Sequence, residues 1–206
     1  MHKRAVLLGA GATAATASIA FWWRSHPSAC PYSLRWSIAV PHPVITRSRL
    51  LQLLGPQAGE QILEVGPGTG YYTLDVAAAI VPGKLAILDL QREMLDYTMR
   101  GAERRGLLNV EPAQGDARTL PYEDESFDGA FLVTTLGEVP DQDAALAELA
   151  RVLKPGGRLV TGEIAVDPHF VTLRSIEARG RAYGLHLEGR RGLPFAYFAR
   201  LVKNAG

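Results

Sequence analysis

The sequence has one cysteine, Cys30, among 206 residues. No intrachain disulfide can form and no cysteine-rich metal site can be assembled, so no metal is expected; Cys30 itself reads as a small apolar side chain rather than a nucleophile. Acidic residues are missing from the first 59 positions, whose charged side chains are Lys3, Arg4, Arg24, Arg35, Arg47 and Arg49. From Glu60 onward 21 acids stand against 16 bases, and without clustered Lys and Arg this body is a poor match to a phosphate backbone, so no nucleic-acid partner is expected. There are no internal repeats, and the one compositionally biased stretch is the Ala/Thr-rich segment near the start.

What is present falls into two unlike parts. From Ala5 to Trp23 there is no charged residue, with Lys3 and Arg4 before the run and Arg24 after it. A helix of about 19 residues just crosses a hydrocarbon core of about 30 Å. The run is longer than the usual core of a signal peptide and ends in Phe21-Trp22-Trp23, a type enriched at membrane interfaces. It is expected to act as a membrane anchor formed by an N-terminal hydrophobic helix, with a signal peptide or a surface-lying tail as the alternatives. The arginines after the run outnumber the bases before it, which favours a body in the cytoplasm; a soluble cytoplasmic chain is the alternative. Residues 1–24 thus form the anchor or signal segment, 25–57 a Pro-containing linker with N-terminal lid helices, and 58–206 the main domain.

In the main part, apolar runs and helical patterns alternate. Thr46 to Leu54 is a helix candidate stopped by Gly55-Pro56; strands are expected at Ile62–Val65, Leu85–Leu88, Asn109–Pro112, Gly129–Leu136 and Arg158–Ala165. Helical patterns at Thr73–Ile80, Gln91–Arg105 and Asp141–Leu153 separate them, a helix is expected over Pro168–Tyr183, and Pro194–Lys203 reads as a final strand. Alternation of this kind points to an α/β fold with a mostly parallel sheet and an antiparallel C-terminal strand. In such sheets ligands bind beyond the carboxyl ends of the strands, and Glu64, Asp89, Asp116 and Glu138 each end or follow an expected strand.

Glu64-Val65-Gly66-Pro67-Gly68-Thr69-Gly70 is the turn on which the rest is organised. Its glycines let backbone N–H groups approach a ligand at the mouth of a helix. A dinucleotide fingerprint would need a third glycine where Tyr71 stands, and a bulky side chain there would obstruct a pyrophosphate, which disfavours NAD.

Together with Asp89, Gly115-Asp116-Ala117, Leu120-Pro121-Tyr122 with Ser126-Phe127-Asp128, and Arg151-Val152-Leu153-Lys154-Pro155-Gly156-Gly157, this turn resembles the class I S-adenosylmethionine-dependent methyltransferases, in particular the small-molecule type that includes the ubiquinone/menaquinone methyltransferases. The resemblance covers about Gln61 to Ala165 and implies a Rossmann-like class I methyltransferase sandwich with S-adenosyl-L-methionine as cofactor. It further implies that Gly66, Gly68 and Gly70 pass backbone beneath the methionine part, that Glu64 orients the loop or meets the ammonium, and that Asp89, with Leu90 beside it, accepts from the ribose. Asp116 would accept from the adenine amino group, Ala117 N–H would meet the ring, and Thr134 would stand near the sulfonium. Asp89 as a helix cap and Asp116 as a turn residue are the structural alternatives. Glu138 is the candidate general base, while His169 and His186 read as surface residues.

A lid is expected from Pro31–Gln57, where Tyr32, Trp36, Ile38, Val40 and Pro41 supply apolar surface, and from the loop after Leu136. Beside an anchor at residues 5–23, that lid suggests O- or C-methylation of a small, lipophilic, lipid or quinone-like acceptor. The alternative is an accessory subunit that binds the cofactor without turnover.

Overall fold

The computed structural model describes residues 27–35 and 43–205. The anchor expected at residues 5–23, and Trp36, Ile38, Val40 and Pro41 of the expected lid, lie outside the described residues. No helix among the described residues is long and apolar enough to cross a membrane.

Among the described residues seven strands form one sheet: β1 (Gln61–Val65), β2 (Lys84–Asp89), β3 (Val110–Gln114), β4 (Phe127–Val133), β5 (Leu153–Ile164), β6 (Leu185–Leu193) and β7 (Ala196–Lys203). Their order is β3-β2-β1-β4-β5-β7-β6. β1 pairs in parallel with β2 and β4, β3 with β2, and β5 with β4, whereas β7 is antiparallel to both β5 and β6. The expected antiparallel C-terminal strand is therefore present, inserted between β5 and β6. Strand order reverses beside β1, between β2 and β4, and there the strand ends splay into a crevice.

The central strands are apolar on both faces because helices cover both. Side chains alternate across the sheet: Ile62, Leu85, Ile87, Phe131 and Val160 face one cluster, while Leu63, Leu88, Ala130, Leu132 and Leu159 face the other. The first cluster is closed by α1 (Arg47–Leu54), α2 (Thr73–Ile80) and α3 (Arg92–Arg104), the second by α4 (Gln142–Val152) and α5 (Leu173–Ala182). α1 begins at Thr46, whose hydroxyl accepts from Arg49 N–H, and ends at Gly55 in the left-handed region. Burial of Leu50, Leu53 and Leu54 fixes it to the sheet, at about 1.5–3 kcal/mol for each leucine. Its carbonyl end is held by Arg158, buried to 8% exposure, which donates to the Leu54 and Gly55 carbonyls, to the Asp128 carbonyl and to both carboxylate oxygens of Glu60.

Three boundaries differ from expectation by three residues or more. β5 begins at Leu153, through the Pro155-Gly156-Gly157 stretch read as a stop, because Leu153 pairs with Phe127 before a register shift brings Arg158 opposite Gly129. β4 ends at Val133 rather than Leu136, and Leu136–Glu138 is a 3-10 turn. α5 starts at Leu173 rather than Pro168, since Thr172 caps it by accepting from Ser175 N–H.

Candidate functional site

A cavity of about 530 Å³ opens at the carboxyl ends of β1, β2, β4 and β5. Glu64, Gly66, Gly68, Asp89, Leu90, Asp116, Ala117, Thr134 and Glu138 all line it. Gly70 does not: its N–H closes the turn onto the Pro67 carbonyl at 2.9 Å and it packs against Thr98. It shapes the loop from below, behind the residues that line the cavity.

The floor follows from the end of β1. Gly66 has φ +70°, its N–H donates to the Leu88 carbonyl at 2.8 Å, and a Cβ there would lie 2.5 Å from Thr135 Oγ1. Only glycine fits this approach. Two residues before it, Glu64 is 2% exposed and its Oε2 has no hydrogen-bond partner. Burial pushes its carboxyl up to about 8, with the Thr73 hydroxyl pulling the other way and the Asp89 charge adding to the rise. A buried carboxylate oxygen without a partner, at the wall of a cavity, calls for a donor or cation to satisfy it.

Asp89 ends β2, is nearly buried, and accepts from Gln91 N–H at 2.9 Å. Burial raises its pKa, opposed by the backbone N–H groups of Gln91, Gly68 and Leu90. Asp116 is paired with Arg118, whose Nη2 donates at 2.6 Å and whose backbone N–H donates at 2.9 Å. The guanidinium holds this carboxyl below its ordinary value. The turn role of Asp116 is thus realised, and any ligand must share its carboxylate with Arg118. Thr134 has φ +53°, a sparsely populated conformation for a residue with a side chain; its N–H donates to the Gly162 carbonyl at 2.7 Å, turning the chain out of β4 toward the cavity.

The far wall is acidic. Glu138 is pushed up to about 8 by burial and then by the Asp167 charge, with the Cys30 backbone N–H opposing. Asp167 follows β5, accepts from His169 N–H at 2.7 Å and has a raised pKa, chiefly through burial. Behind them Glu163 is buried with Oε1 unpartnered and is also pushed up to about 8, mainly by burial. His169, expected at the surface, is buried at the cavity wall, while His186 is exposed. The reason is a backbone contact: the 3-10 turn after β4 lies so close to residue 169 that a Cβ on Gly137 would sit 1.7 Å from the His169 carbonyl oxygen.

The roof comes partly from the segment before α1, both ahead of Pro31, where the expected lid begins, and within it. Ser28, Ala29, Cys30 and Leu34 line the cavity. This strap is clasped by one carboxamide: Gln91 Oε1 accepts from Tyr32 N–H and Gln91 Nε2 donates to the Cys30 carbonyl, both at 2.9 Å. Tyr71, where a dinucleotide loop would have glycine, lines the cavity with the Arg47 guanidinium 4.0 Å above its ring. The Gln91 clasp and the Asp167–His169 wall were not foreseen; the Asp167-Pro168-His169 run just past a strand end was the available signal for the latter. Among the described residues no group of three or more His, Cys, Asp or Glu is arranged to hold a metal ion.

Comparison with known proteins agrees with this architecture. Residues 62–157 match the family model described as a methyltransferase domain. The chain is 37% identical over 164 residues to an uncharacterized 37.1 kDa protein in transposon TN4556 of Streptomyces fradiae, covering 78% of this chain and 47% of that protein. It is 36% identical over 115 residues to a demethylmenaquinone methyltransferase of Lactococcus lactis, covering 55% of this chain and 46% of that enzyme. The chain therefore spans about half the length of these curated relatives. A crystal structure of a SAM dependent methyltransferase from Aquifex aeolicus superposes with a TM-score of 0.77 at 20% identity, covering 84% of this chain and 99% of that one, a likeness of fold. Residues 62–157 thus belong to the methyltransferase domain family, and the parallel sheet with its reversed last strand has the fold of the solved S-adenosylmethionine-dependent methyltransferase.

Proposed function

We propose that the protein transfers a methyl group from S-adenosylmethionine to a small lipophilic acceptor by O- or C-methylation, and that it does so as residues 58–206 with the segment 25–57 as lid. The observation that carries this is the unpartnered, buried Glu64 carboxylate beside the Gly66 cradle: it fits the ammonium of a cationic cofactor and leaves the Glu138–Asp167 side of the cavity for a second molecule. The cofactor supplies a methyl group on a cationic sulfur, already activated for in-line displacement.

The chain's own residues then have mainly to position. Gly66 and Gly68 let the backbone approach the amino-acid end, and Glu64 accepts from its ammonium. Asp89 accepts from the ribose hydroxyls with its second oxygen, while the first stays on Gln91 N–H. Leu90 and the Ala117 N–H border the adenine, whose amino group Asp116 reaches by sharing its carboxylate with Arg118. Thr134 turns the end of β4 toward the reacting centre. The strap held by Gln91 keeps water away from it, which strengthens every charge interaction inside. Glu138, on the acidic wall of the cavity, would take a proton from an acceptor hydroxyl or acidic carbon.

The apolar lining contributed by Leu34, Val139, Ile164 and Val166 suits a lipid or quinone-like phenol. The similarity to a demethylmenaquinone methyltransferase supports the same substrate class, and a membrane anchor at residues 5–23 would bring the site to such acceptors. Calorimetry with S-adenosylmethionine tests the first half: absence of binding rejects the proposal. Incubation of the protein with labelled cofactor and membrane extract tests the second, with label expected in an extractable lipophilic product. Binding without transfer to any lipid or phenol pool would leave an accessory cofactor-binding subunit instead.

A further inference from the structure

Seven large apolar side chains are exposed among the described residues, and they are not scattered. Leu34, Leu90 and Val166 line the mouth of the cavity, at 47%, 52% and 81% exposure. Leu193 and Phe195 stand near Val166, because Ala165 N–H donates to the Phe195 carbonyl at 2.7 Å and so joins the β6–β7 turn to the segment carrying Val166. The other two, Val81 and Leu108, precede β2 and β3 and so lie at the opposite edge of the sheet. Five apolar side chains thus follow one edge from β2 to β6, a span of about 24 Å at about 4.8 Å per strand. Scattered exposed leucines need no explanation, whereas a concentration around one opening does.

We infer that this edge is a docking surface for an anionic lipid bilayer, with the cavity mouth facing the lipid. Charge favours that occupant: Arg190 and Arg191 are exposed at the end of β6, immediately before Gly192 and Leu193, where they can meet anionic headgroups while Leu193, Phe195 and Val166 enter the interface. Chain length agrees. Ser28 lines the cavity, and the uncharged run ends at Trp23; five residues of chain reach at most about 17 Å. A run resting in a bilayer would hold the mouth close to its surface. The surface deepens the proposed lipophilic acceptor, on which its functional meaning rests: the acceptor would pass from bilayer to cavity without crossing water.

The docking is read without turnover. Full-length Phe195→Cys and Leu108→Cys variants, each with Cys30→Ser, are labelled with an environment-sensitive fluorophore and mixed with vesicles of phosphatidylcholine alone or with phosphatidylglycerol. A blue shift at position 195 with the anionic vesicles, and none at 108, is expected. Arg190→Gln with Arg191→Gln should weaken that binding roughly thirtyfold, at about 1 kcal/mol per basic side chain near an anionic surface. An unshifted position 195 overturns the inference even if the protein sediments with vesicles, since residues 5–23 alone would then be responsible. Equal shifts at 195 and 108 also overturn it. Loss of methyl transfer with the shift intact would count against the proposed reaction and leave the docking surface standing.

Discussion

Replacing Glu64 by Gln should make the empty protein more stable and its cofactor binding weaker. Burial raises the Glu64 carboxyl from 4.5 to about 8 in the folded chain. Because the folded value lies above the unfolded one, the stability contributed by the neutral carboxyl is full below about pH 4.5 and is lost as pH rises toward 8. At pH 7 the loss covers about 2.5 pH units, or about 3 kcal/mol at about 1.4 kcal/mol per unit. Glutamine removes that pH-dependent cost but leaves a buried amide to be satisfied, at about 1 kcal/mol. A net gain of about 2 kcal/mol should raise Tm by about 4–8 °C at pH 7 for a chain of this size, and the gain should vanish by pH 5. S-adenosylmethionine should bind about 10- to 150-fold more weakly, as a charge-assisted hydrogen bond of about 1.5–3 kcal/mol is lost. Binding to the native protein at pH 7 should also release about one proton, because the incoming ammonium favours the carboxylate; titration calorimetry in buffers of different ionisation enthalpy measures it. A variant that melts no higher than the native protein at pH 7, or that holds the cofactor equally well, would refute the reasoning.

Three further outcomes follow from the same geometry. With Glu138 as base, kcat should rise with pH through about 8 as its carboxyl ionises and fall about 100-fold or more in Glu138→Gln, with the pH dependence flattened; an unchanged profile removes Glu138 from the chemistry. Arg158→Met should lower the unfolding free energy in urea by about 3–5 kcal/mol, since Glu60 and the end of α1 lose their buried partner, and Glu60→Gln on that background should cost far less than its effect alone. Gly137→Ala should lose about 2–4 kcal/mol in thermal melts, because its methyl group would overlap the His169 carbonyl.

The parts of the fold set by local pattern were legible in advance. Thr73–Ile80 was expected as a helix at the bounds observed, and the strand ending at Asp89 was expected from its apolar run and the polar residue after it. The antiparallel last strand was also expected. The misreadings arose where distant backbone decides. Pro155-Gly156-Gly157 reads as a stop, yet the pairing of Leu153 with Phe127 draws it into β5. His169 looks like a loop histidine until the turn at Gly137 is packed against it. In the candidate site, Glu64, Gly66, Gly68, Asp89 and Asp116 could be placed from spacing at strand ends. The Gln91 clasp could not, because its partners are 59 and 61 residues away in sequence. Nor could the commitment of Asp116 to Arg118, which depends on rotamers within the turn.

The contact between Gly137 and His169 fixes the distance between two loops that carry Glu138 and Asp167. That distance is inherited from main chain against main chain, so substituting neighbouring side chains leaves it unchanged. The acidic pair is therefore a rigid gauge, whereas Leu34, Val139 and Val166 around it are adjustable. A chain with this build can change the size and greasiness of what it admits by altering the rim, while presenting every guest to the same two carboxyl groups at the same separation.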